Sequence, residues 1–216
     1  MPAPSGSEIG SLAKSAMQSA SLRGENAPDL ATALGDTCGQ AFMLFVNMAM
    51  VSPGIPAAAP PPPGSGSTVG PGMLLPPPAG GPGSSQIEPI AKGLLASNKI
   101  NGEQRDALAK AIAQTVEQAL ILFTTQVKVA PGMAIAGFTT SAPGNLMGAA
   151  PAKPMLQPIA LSFLQAGGIR GENAPDLAGA MAETLSNALT QMMTRLKVSP
   201  GIPSSPGATA GPGRLL

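Results

Sequence analysis

The sequence predicts a mainly α protein: three tandem helix-turn-helix repeats, each a short helix and a long one, with extended Pro/Gly-rich tails, gathered into a pseudo-threefold helical bundle. Three observations carry this expectation. The nine residues "RGENAPDLA" occur twice, beginning at Arg23 and at Arg170. A third copy lies between them, where Ile100-Asn-Gly-Glu aligns with Leu22-Arg-Gly-Glu and Ile169-Arg-Gly-Glu. From each of these starts the Pro-Gly of "VSPGI", "VAPGM" or "VSPGI" follows at the same distance, so three copies of about 46 residues align without a gap. The expected organisation is repeat 1 over 1–75 with its helical hairpin over 8–51, a linker at 76–85, repeat 2 over 86–147, a linker at 148–154, and repeat 3 over 155–216.

The first helix of each copy is expected over Glu8–Ser19, Glu88–Ser97 and Gln157–Gln165. Ile9, Leu12, Ala13, Ala16 and Met17 recur at the spacing of one buried helical face, as do Ile87, Ile90, Ala91, Leu94 and Leu95. Pro89 and Pro158 read as first-turn prolines, where the missing N–H has no helical partner. A glycine turn follows at Gly24, Gly102 and Gly171. In "ENAPDL", Asn26 is a candidate N-cap, with Pro28 in the first turn and Asp29 completing a capping box. Asn101 and Gln104 offer an equivalent box in copy two.

The long helix is expected to run for about 25 residues. Its apolar seam in copy one is Leu30, Leu34, Cys38, Ala41, Phe42, Phe45 and Ala49. Copy two offers Leu108, Ile112, Val116, Ala119, Leu120, Phe123 and Val127, and copy three Leu177, Met181, Leu185, Ala188, Leu189, Met192 and Leu196. Spacings of three and four make a narrow, coiled-coil-like stripe. In "AFMLFVNMAM" the stripe widens until that helix is apolar almost all round, which predicts contacts on both sides.

Each long helix stops at a Ser/Ala-Pro-Gly break. The tails carry one Pro-Gly at each end and close on a pair of apolar residues, a punctuation that fits a hairpin or ordered strap. The stretches Ala57–Gly64 and Leu75–Gly83 are expected to be linkers. One hairpin of this size is too small to make its own core. The end copies lack the polar capping face a solenoid requires, and the long tails can return the chain to the start of the next copy, so closure about an axis is favoured.

Composition narrows the function. The 216 residues include 27 Gly and 25 Pro, no Trp, Tyr or His, and only 11% charged residues. A net charge of +1 and 2% aromatics supply neither the field nor the stacking surface for nucleic acid. With no histidine there is no Ser-His or Cys-His pair and no imidazole ligand, so no catalytic, cofactor or metal residue is expected. The one cysteine, Cys38, falls on the seam as a buried small hydrophobe. The N-terminus lacks the pattern of a secretory signal, which points to synthesis in the cytoplasm.

The helix ends and tails reading "KVSPGIP...GPGRLL" and "KVAPGM...APGNLM" resemble those of small repeat-containing structural proteins of bacteriophage tails and contractile injection systems. The resemblance covers the tails and the helix ends before them. It implies a non-catalytic virion or tail component, of baseplate or neck type, with no catalytic residue to carry over. The expected partners are protein subunits of a threefold or sixfold assembly. The residues expected to meet them are Phe42, Met43, Val46 and Met50 on the broad apolar face, Ile55 and Ile202 in the tails, and Arg23 and Arg170 in the turns. Each of these arginines also reads as a solvated turn residue reaching a nearby helix carboxylate. The alternative function is a membrane-active or secreted accessory that uses "AFMLFVNMAMV" to enter a bilayer.

Overall fold

In the computed structural model, which describes residues 3–58, 65–77 and 80–216, the helical periodicity resolves into six helices of two lengths. The short ones are α1 (Gly6–Ser19), α3 (Ser84–Ser97) and α5 (Lys153–Ala166), each of 14 residues. The long ones are α2 (Ala27–Met48), α4 (Arg105–Gln126) and α6 (Ala174–Arg195), each of 22 residues. The mainly α reading stands, with several small antiparallel sheets added to it. The seam is buried as its spacing predicts: Leu34, Cys38, Ala41, Phe42 and Phe45 line one core with Ile112, Val116, Leu120, Phe123, Met181, Leu185, Leu189 and Met192. Phe45 and Phe123 meet edge to face at 6.0 Å across α2 and α4, a favoured aromatic geometry.

Helix starts differ from the sequence expectation. α1 begins at Gly6, because Ser5 caps it: the Ser5 hydroxyl accepts from the Glu8 N–H while the Glu8 carboxylate accepts from the Ser5 N–H. α3 and α5 begin at Ser84 and Lys153, inside the segments expected to be linkers. Pro89 and Pro158 therefore sit in the second turn, not the first. Each removes a helical hydrogen bond, to Ser85 and Pro154 respectively; these residues and both prolines are exposed, so the freed carbonyls face solvent.

The asparagine caps do not form either. Asn26 and Asn173 have near-helical backbone angles and make no capping bond. Pro28 and Pro175 take the second helical position and remove an N–H that a cap would satisfy. The chain instead enters through a backbone turn, with the Ala27 N–H donating to Gly24 O and the Ala174 N–H to Gly171 O. Gln104 likewise makes no side-chain cap in copy two.

Each tail folds into four short strands. These are β1 (Met50–Val51), β2 (Ala57–Ala58), β3 (Ser65–Thr68) and β4 (Gly72–Met73) in copy one, and β5 (Lys128–Val129), β6 (Ala134–Ala136), β7 (Thr139–Thr140) and β8 (Gly144–Met147) in copy two. Copy three supplies β9 (Lys197–Val198), β10 (Ser204–Ser205), β11 (Ala208–Thr209) and β12 (Gly213–Arg214). The middle two strands of each tail form a hairpin, while the first and last reach neighbouring copies. β4 pairs with β5, β8 with β9, and β12 with β1, all antiparallel. Pairing within a copy links Val51 to Leu74, β5 to β8, and Val198 to Leu215. The order β1-β4-β5-β8-β9-β12 thus returns to β1. A second series runs β2-β3-β6-β7, on through Thr139–Pro203 to β10-β11, and back through Ala208–Pro56 to β2.

Helix packing follows the same order. Each short helix packs on its own long helix and on the long helix of another copy: α3 on α2, α5 on α4, and α1 on α6. The closest approach is between α1 and α2, where Gly6 and Gly10 face Gly35 and Gly39. A Cβ on Gly39 would lie 2.6 Å from Gly6 N, and one on Gly35 would strike the Gly10 backbone.

Of the two stretches expected to be linkers, Ala57–Gly64 begins with strand β2 rather than linker, and its residues 59–64 lie outside the described residues. Pro77, Gly80, Gly81 and Pro82 are buried, and Gly81 lies against the Phe45 ring, so the described part of the second stretch is packed structure.

Candidate assembly surface

The structure divides the eight residues expected to bind partners. Phe42, Ile55 and Ile202 are fully enclosed, at 0%, 2% and 3% exposure, and are corrected from contact residues to core. Phe42 belongs to the helical seam. Ile55 and Ile202 fold back over Gly72 and Gly213, where a Cβ would come within 2.6 Å and 2.5 Å of their side chains. The two Pro-Gly marks of a tail therefore have one purpose: the first turns an apolar side chain inward, and the second leaves it room. Met133 takes this place over Gly144 in copy two.

The other five reach the surface at different levels. Met43 is exposed on the outer side of α2, and Val46 and Met50 are half-buried. Arg23 and Arg170 are exposed in the turns. The Arg170 Nε–H donates to Gln165 O at 3.4 Å, at the end of α5. Neither arginine forms an ion pair among the described residues, so the expected reach to a helix carboxylate is not made. Arg23 borders a depression of about 830 Å³ at the turn end of the helices, lined by Leu22, Ile100, Ile169, Gly24, Gly102 and Gly171 from all three copies. "AFMLFVNMAMV" is committed elsewhere: Ala41, Phe42, Phe45, Ala49 and Val51 are buried. Among the described residues no helix is long and apolar enough to cross a membrane.

The residues that sequence reasoning missed are three threonines. Thr68, Thr140 and Thr209 are buried near the ends of the hairpins of copies one, two and three. Each grips the Pro-Gly turn of another copy. The Thr209 hydroxyl accepts from the Ile55 N–H at 3.0 Å, its carbonyl accepts from the Gly54 N–H at 2.8 Å, and its N–H donates to Ile55 O at 3.0 Å. Thr140 holds Gly201 and Ile202, and Thr68 holds Gly132 and Met133, in the same way. Gly54, Gly132 and Gly201 have φ of 90°, 98° and 89°, a backbone that favours glycine. The only signal in the sequence was a threonine shortly before the last Pro-Gly of every tail.

One ion pair closes the helical series. The Arg195 guanidinium at the end of α6 donates two bonds to Glu8, at 2.8 and 3.1 Å. That pair, with the Ser5 backbone and hydroxyl bonds, lowers the Glu8 pKa from 4.5 to about 2, and Glu8 in turn raises that of Arg195. Burial pushes the Cys38 thiol up to about 12, which leaves no thiolate for nucleophilic chemistry near neutrality. Among the described residues no group of three or more His, Cys, Asp or Glu side chains converges as a metal site. No protein-family model, curated protein or solved structure matches this chain.

Proposed function

We propose that this chain is a non-catalytic structural component of a larger symmetric particle, a virion or tail protein of baseplate or neck type, in which its three copies stand about a pseudo-threefold axis. The single observation that supports the reading is closure: copy three pairs back onto copy one in strands, helices and threonine clasps alike. A chain built this way offers three similar faces around one axis, which suits neighbours arranged with threefold or sixfold symmetry. Its contact groups lie on that circumference and at the turn end, where Met43, Arg23 and Arg170 are exposed and Met50 is half-buried.

The test is stoichiometry in the native particle. A tagged chain is purified with its particle, subunits are counted by quantitative mass spectrometry, and the particle is imaged by cryo-electron microscopy. One copy on an axis, against three or six of an adjacent subunit, is the expected result. An equimolar complex without rotational symmetry overturns the reading.

A further inference from the structure

The chain is nearly neutral, but its charges are segregated. All eleven acidic residues lie between Glu8 and Glu183, in the helices and their turns. The tail segments 49–83, 127–152 and 196–216 contain no acid and three cations, Lys128, Lys197 and Arg214. Strand pairing sets these three on the outside of the strand series that closes on β1, in successive rows offset by two residues.

Three rows make up that outer belt. Lys128 pairs with Met73 on one side and Met147 on the other. Lys197 pairs with Asn145, and exchanges both backbone hydrogen bonds with Leu216 at 3.1 and 2.8 Å. Arg214 pairs with Met50, whose carbonyl accepts from the Leu75 N–H. All three cations are exposed, as are Met73, Met147 and Leu216 at 62%, 43% and 53%. The alternate residues Val51, Val129, Val198, Leu74 and Leu215 point inward and are buried.

Lys128 and Lys197 follow the C-termini of α4 and α6, where a cation complements the helix dipole. That local role does not account for Arg214. Copy one places Met50 at the lysine position, and the residue paired with it across the strands is the arginine. Each third of the belt therefore keeps one cation, even where it comes from a different strand. A requirement on the belt as a whole explains this; a requirement on each helix end does not.

We propose that this belt is a docking surface for an acidic protein collar, a ring of carboxylate-bearing subunits that surrounds the strands. A collar fits because the three cations belong to three different strand pairs of the closed series, so a partner that meets all of them surrounds it. Met73, Met147 and Leu216 supply apolar contact beside the charges, as at the core of a protein interface. The inference rests on the proposed symmetric assembly and names the chemistry of its partner.

The test uses the purified full chain and fluorescently labelled poly-L-glutamate, with binding read by anisotropy. Salt-sensitive binding is expected, weakened about tenfold in K128Q/K197Q/R214Q and retained in K14Q/K99Q/K110Q, which loses the same charge elsewhere. No binding of the wild-type chain, or equal binding of poly-L-lysine, overturns the proposal without any variant having to fold. Preference for phosphatidylglycerol vesicles or duplex DNA over poly-L-glutamate overturns it in favour of a lipid or nucleic-acid surface. Particle stoichiometry is independent of these outcomes, so the belt can fail while the symmetric assembly stands.

Discussion

A threonine hydroxyl that accepts a buried N–H is the smallest unit on which this fold depends. Thr209→Val keeps the shape of the side chain and leaves the Ile55 N–H without its hydroxyl partner, a loss of about 1–3 kcal/mol. Thr209→Ser keeps the acceptor and most of the stability, and urea unfolding midpoints separate the two. Glu8 makes a pH-dependent contribution. Its folded pKa, about 2, lies below the ordinary value of 4.5, so its stabilisation is fully present above the unfolded value and is lost as pH falls through about 2. Glu8→Gln should flatten that acid limb in denaturation midpoints followed from neutral pH down to about pH 2. Both partners are exposed, so added salt reduces the effect. These bonds were beyond the reach of pattern reading, because a polar contact between distant residues leaves no periodic trace in the chain.

At the scale of elements, glycine acts in opposite directions in two helices. Gly35 lies where α1 and α2 touch backbone to backbone. Gly35→Ala gains about 1 kcal/mol of helix propensity but drives a methyl group into the Gly10 main chain, which no side-chain rotation relieves. The net expectation is a loss of about 2 kcal/mol. Gly93, in α3, has open space around its Cβ position, and Gly93→Ala should stabilise by about 0.5–1 kcal/mol. Thermal or urea melts of the two variants should move in opposite directions. Helix existence, length class and buried face were legible because a helix writes its burial at a local period. Helix starts were displaced, since Ser5, Ser84 and Lys153 carry no apolar signal of their own.

For the whole molecule, closure means that the covalent break between copy three and copy one has no special place. The five residues Gly148–Ala152 connect β8 to α5. Arg195 at the end of α6 already touches Glu8 at the start of α1, and β12 pairs with β1. A circular permutant that joins Leu216 to Ala3 through a short Gly/Ala linker, and opens between Ala149 and Ala150, should fold. Its Tm should lie within about 4 °C of the parent. Circular dichroism melting checks this, and a permutant that does not fold would show that the last closure differs from the other two.

The sequence by itself determined the three copies, their helix pairs, the buried seam and the positions of the Pro-Gly turns, because each is written in neighbouring residues. It did not determine where the tails go. Ile55 and Ile202 looked like free apolar contacts until the fold enclosed them. Met50 and Arg214, far apart in the chain, became neighbours only through strand pairing. Hydrogen bonds between strands of different copies depend on three-dimensional register, which only the tertiary structure supplies.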